Sequence, residues 1–112
     1  MNAPQVPLVV LTTLSTPEAA CDLVRELVAA RLVACGTVVP GATSIYRWHD
    51  AVTTDAEALV LLKTVQARWD ALVAAVERLH PYDVPELLAL PVGAGLPAYL
   101  AWLATETAEV AA

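Results

Sequence analysis

Two β-forming segments, Val33–Trp48 and Val52–Thr64, stand almost end to end, joined only by His49-Asp50-Ala51. Asp tolerates left-handed backbone, so this junction reads as a tight turn and the pair as one antiparallel hairpin. Strands in globular proteins usually run about 5–6 residues, and both segments are far longer. Such a hairpin outruns the sheet of a small domain, so its end is expected to project and pair with a neighbouring chain. Pro40-Gly41 interrupts the first segment, which marks a bend, a bulge or an edge. In the second, Glu57, Leu59, Leu61 and Lys63 share one face, and Ala58, Val60, Leu62 and Thr64 share the other. Apolar residues on both faces predict burial on both sides.

Around this hairpin the punctuation is clear. Leu8–Thr13 is a continuous apolar, β-branched run and reads as a central strand. Thr16 can cap a helix, Pro17 suits its first position, and Glu18 favours the positive end of its dipole. Leu23, Val24, Leu27, Val28 and Leu32 then form an apolar stripe. A second helix is predicted from Trp69, Leu72, Val73, Val76 and Leu79, closed by Arg78 and His80 and stopped by Pro81. Leu87–Val92 reads as a short final strand. After the Gly93–Gly95 loop, Pro97 opens a last helix with Tyr99, Trp102 and Leu103 on one side. The order β-α-β-β-α-β plus a C-terminal helix predicts an α+β, ferredoxin-like sandwich: one antiparallel sheet with two helices on one face. The chain, 1–112, is read as one domain with an ordered core over 6–106.

Composition matters because 58% of the residues are apolar, against about 45–50% in ordinary soluble chains. A membrane-spanning helix needs about 20 consecutive apolar residues, and charges or prolines interrupt every run before that length. The excess is therefore expected at a subunit interface. Twelve acidic against six basic residues give a net charge of −6, which argues against nucleic acid as a partner. Met1–Pro7 lacks the features of a signal peptide. Cys21 and Cys35 form no metal or redox spacing, so both are read as free, buried thiols in a reducing cytoplasm.

No phosphate-cradling glycine loop, paired-histidine metal motif or nucleophile elbow is present, so no catalytic residue is assigned and no enzyme is expected. The most unusual segment is His80-Pro81-Tyr82-Asp83-Val84-Pro85-Glu86. Two prolines stiffen a link that need only join a helix to a strand, and it carries an imidazole, a phenol and two carboxylates. Glu57 and Lys63 sit in a strand read as buried. Buried charges need partners, so they are expected to pair with each other, with Glu86 or with Glu106, or to face a ligand. Tyr46, Arg47 and Trp48 are read as subunit packing or an aromatic-cationic lip.

Taken together, Ala34-Cys35, Pro40–Trp48, Leu61-Leu62-Lys63-Thr64, the His80–Glu86 segment and Tyr99–Leu103 resemble the CutA family of divalent-cation tolerance proteins. The likeness runs from Leu8 to Leu103. It implies a ferredoxin-like homotrimer whose long strands cross subunit boundaries, similar to PII-type signalling proteins, and a link to tolerance of copper and other divalent cations. In some members metal binding is assigned to a first-strand cysteine and two adjacent histidines before Pro-Tyr. Here those positions hold Thr12, Leu79 and His80. A single histidine holds Cu²⁺ or Zn²⁺ weakly. The expectation is thus a weak copper or zinc site at His80, with Asp83 or Glu86 as further ligands. The competing expectation is a small-molecule sensor whose cleft lies between subunits, lined by Trp48, Lys63, Tyr82 and Glu86. A third is a structural trimer that anchors another protein.

Overall fold

Along the first strand, β1 (Pro7–Leu14), buried Leu8, Val10, Thr12 and Leu14 alternate with half-buried Pro7, Val9, Leu11 and Thr13. That period-two pattern gives the molecule a covered face and an uncovered one. The computed structural model describes residues 6–109. After β1 come α1 (Pro17–Ala29), β2 (Cys35–Trp48), β3 (Ala51–Val65), one 3₁₀ turn (Gln66–Arg68), α2 (Trp69–Leu79), β4 (Leu88–Pro91) and α3 (Pro97–Glu106). The four strands form one antiparallel sheet in the order β2-β3-β1-β4.

Helix α1 begins where the sequence predicts, with the Thr16 hydroxyl accepting from the Ala19 N–H at 3.1 Å and Pro17 in the first turn. Leu23, Val24 and Leu27 of α1 and Leu72, Ala75 and Val76 of α2 close over Leu8, Val10, Leu14, Val60 and Leu62. Close approach of α1 to the sheet depends on Gly36. A Cβ there would sit 2.8 Å from Val24 Cγ1 and 2.9 Å from Leu62 Cδ2. Val28, read from the sequence as part of this stripe, is exposed, because α1 turns it away from the sheet.

Only residues 58–65 of β3 pair with β1, whereas Ala51–Glu57 pair with β2 alone. The distal hairpin is therefore a two-stranded arm that leaves the sheet. A register shift between Val39 and Ala42, with Gly41 at φ 78°, marks the departure. At the tip, His49 and Asp50 both take left-handed backbone, φ 48° and 62°. That is the conformation a two-residue hairpin turn requires, with twist matching that of the strands.

Several expectations change. Leu59 and Leu61 are half-buried, not buried, because α3 packs on their face only at its Val65 end. Cys21 and Cys35 are free but half-buried. The final strand is shorter than predicted, and α3 turns Leu103 inward with Leu100 against Ala34 and Val65. Tyr99 and Trp102 stay exposed, stacked on each other with ring centroids 5.5 Å apart. Arg31 holds the end of α3, donating to the carbonyls of Thr105 and Glu106 at 3.3 Å each.

Candidate functional site

Pro81 ends α2 and turns the chain beneath the root of the arm. His80 takes extended backbone at the helix end and its ring is buried, 6% exposed. Its Nε2 lies 2.9 Å from the carbonyl oxygen of Thr13, and its Nδ1 accepts the Tyr82 N–H at 3.1 Å. A backbone N–H can only donate and a carbonyl can only accept, so the ring is neutral with its proton on Nε2. Burial pushes this imidazole below its ordinary value of 6.5, while the Thr13 carbonyl and the nearby Glu57 act in the opposite sense.

Tyr82 stacks edge-on against His80, centroids 4.7 Å apart, and its hydroxyl donates to Glu57 Oε2 at 2.5 Å. Burial first, and then this carboxylate, push the phenol well above its usual range. Two residues outward along β3, the Tyr46 hydroxyl donates to the Asp55 carboxylate, which raises that phenol too. Two phenols and two carboxylates thus brace the point where the arm leaves the sheet. In each pair the phenol O–H donates and the carboxylate accepts.

The other singled-out residues do not join this cluster. Asp83 and Glu86 are exposed on the connector, and Trp48 stands exposed near the arm tip with its ring edge-on to His49 at 5.0 Å. Lys63 lies six residues along β3 from Glu57, about 20 Å at about 3.3 Å per residue. Its ammonium donates to Thr37 Oγ1 at 2.9 Å. The expected pairing of Lys63 with Glu57, Glu86 or Glu106 does not form, and the strand holds Lys63 and Glu57 at opposite ends of one face. Beside Lys63, Cys35 Sγ and the Tyr99 hydroxyl are 3.5 Å apart. No motif in the sequence joins Tyr46 to Asp55 or Thr37 to Lys63, although period-two spacing places each on the uncovered face with its partner.

For a divalent cation the residues present are a poor fit. Both His80 nitrogens are engaged within the chain, so a cation there must displace the Tyr82 N–H or the Thr13 carbonyl. Thr12 is buried on the helix-covered face, its hydroxyl without a hydrogen-bond partner. Leu79 offers no donor. Among the described residues no three His, Cys, Asp or Glu side chains converge as a metal site.

The family described as the CutA1 divalent ion tolerance protein matches residues 8–106. A Thermus thermophilus protein named "Divalent-cation tolerance protein CutA" is 46% identical over 99 residues, covering 88% of this chain and 96% of its own length. A rice protein, "Protein CutA 1, chloroplastic" of Oryza sativa subsp. japonica, is 42% identical over 102 residues, which is 91% of this chain but 58% of the rice protein. The solved divalent cation tolerance protein of Thermus thermophilus superposes with a TM-score of 0.89 at 45% identity, covering 91% of this chain and 99% of that one. Both the chemistry-bearing connector and the long hairpin fall inside the matched region. The chain belongs to the CutA1 divalent ion tolerance family.

Proposed function

We propose that this protein serves divalent-cation tolerance as a homotrimer of ferredoxin-like subunits in the cytoplasm, with no catalytic step of its own. One observation carries the reading: the uncovered sheet face is apolar and partly dry within a single chain. Half-buried Val9, Leu11, Leu59 and Leu61 are flanked there by Val39, Leu88 and Leu90, which are 42%, 56% and 51% exposed. A continuous apolar face of this kind marks an interaction surface. The projecting arm, with Ile45 and Val52 exposed, supplies a second one. The strand order and the placement of α1 and α2 on one face support the ferredoxin-like description, and two free cysteines suit a reducing compartment. No helix among the described residues is long and apolar enough to cross a membrane.

In this reading copper or zinc is met weakly. The accessible donors are the exposed carboxylates of Asp83 and Glu86, and His80 contributes only when its contact with the Tyr82 N–H is given up. Light scattering on tag-free protein should give three times the chain mass; a stable monomer would sink the reading. Calorimetric titration with Cu²⁺ and Zn²⁺ should give low affinity, reduced by Asp83→Asn with Glu86→Gln and little changed by His80→Ala.

A second reading, a small-molecule sensor, is favoured by the separation of Lys63 and Trp48 from Tyr82 and Glu86. A cleft lined by all four residues forms only between copies. Copurified small molecules released on denaturation would support it, and trimers that are empty and show no thermal shift across a metabolite panel would count against it.

A further inference from the structure

Lys63 is the only lysine in the chain, and it stands on the uncovered face of the sheet. Three of the five arginines have partners: Arg25 pairs with Asp22, Arg68 with Glu109, and Arg31 caps the end of α3. Among the described residues no carboxylate comes within ion-pair distance of Lys63. Its ammonium has the Thr37 hydroxyl, and its neighbours across the two flanking strands are Val9 and Cys35. Leu61 lies next on the same face. A half-buried ammonium so placed is hydrated from its open side in a lone chain. Covering the face removes that water, and a buried charge left without a counter-charge is strongly unfavourable.

We infer that Lys63 is a carboxylate anchor whose acidic partner, an Asp or Glu side chain, comes from a second copy of this chain. The inference rests on the homotrimer reading and adds to it a charged contact that a single chain leaves incomplete. Complementarity argues for a second copy as the occupant. Twelve acidic residues face only six basic ones, so each copy brings exposed carboxylates to a face that offers one cation. The Thr37 hydroxyl, 2.9 Å from Nζ, fixes where that cation stands. An apolar face can slide, whereas one charge pair inside it admits a single register. The anchor therefore selects how copies align more than how tightly they hold.

Zero-length cross-linking tests this on the intact protein. A water-soluble carbodiimide activates a carboxyl group and couples it to an adjacent amine as an amide, while the carbodiimide becomes a urea. With one lysine per chain, the only other amine is the N-terminus, and peptide mapping separates the two. A mixture of ordinary and ¹⁵N-labelled protein should yield mixed-isotope cross-links joining Lys63 to an acidic residue of the other copy. These should vanish in Lys63→Arg, which keeps the charge but does not couple. Lys63→Met should dissociate on dilution at higher concentration than the parent, and Lys63→Arg at a concentration between the two. A trimeric mass with no inter-copy link at Lys63, or with Lys63→Met as resistant to dilution as the parent, would overturn the anchor and leave the homotrimer standing. A monomeric mass would overturn the homotrimer reading itself.

Discussion

The two faces of the one sheet are built from interleaved residues of the same strands, yet they carry opposite instructions. On the covered face, Val10, Leu14, Val60 and Leu62 are fully buried beneath α1 and α2. On the uncovered face, their immediate neighbours Leu11, Leu59 and Leu61 are apolar as well but only half-buried. An ordinary half-exposed sheet alternates apolar with polar residues. This one alternates apolar with apolar and then places a lysine among the second set. The first face completes the core of the chain, and in the proposed homotrimer the second is the contact surface.

Leu62→Ala against Leu61→Ala is the sharpest way to break that comparison. Leu62→Ala should cost about 2–5 kcal/mol, as fully buried leucines do, and the loss in urea denaturation should not depend on protein concentration. Leu61→Ala should cost much less in dilute protein, with a penalty that grows as concentration rises. Equal, concentration-independent losses would mean that the two faces are not functionally distinct.

Gly36→Ala probes the covered face from the backbone side. The added methyl meets Val24 and Leu62 below 3.0 Å, and overpacking of this kind costs about 1–3 kcal/mol. Thermal unfolding should drop by several degrees with the oligomeric mass unchanged. Where the arm leaves the sheet, Tyr82→Phe removes the hydroxyl held by Glu57 at 2.5 Å. A loss of about 1 kcal/mol is expected for one partly exposed hydrogen bond, with amide exchange rising in the arm and connector ahead of the core.

The smallest effect is tied to pH. Burial holds the folded-state value of His80 below 6.5, so the unfolded chain takes up its proton first as pH falls. The contribution of the neutral ring is fully present above about 6.5, and is lost as pH drops through the depressed folded value. Denaturation midpoints followed downward from neutrality should fall, and His80→Gln should flatten that part of the profile. A profile unchanged by the substitution would show that the ring is not held neutral.

Much of the architecture was legible because local chemistry was consistent with it. Thr16, Pro17, Pro81 and the paired apolar periods mark elements whose boundaries recur in the structure to within a few residues. The final helix was read less well. Tyr99 and Trp102 are as apolar by type as Leu100 and Leu103, and only the end of the sheet, at Ala34 and Val65, decides which pair turns inward. The connector was legible as unusual but not for what it does. His80 looks like a ligand in sequence; in space both of its nitrogens are used to fasten the connector to Thr13 and Tyr82. In sequence Glu57 reads as a buried charge that pairs with Lys63 or faces a ligand, because nothing local says that Tyr82 returns to meet it.

By itself the sequence determined the element order, the long hairpin, the family and an excess of apolar surface needing an outlet, since each depends on neighbours in the chain or on composition. Tertiary structure alone decided which charges meet. Lys63 and Glu57 share a face of one strand but stand about 20 Å apart by strand rise, too far to pair. A connector from elsewhere in the chain takes Glu57, and among the described residues Lys63 has no carboxylate partner. Hydrogen bonds and ion pairs act over a few ångströms, so their partners are set by which distant segments the fold brings into contact.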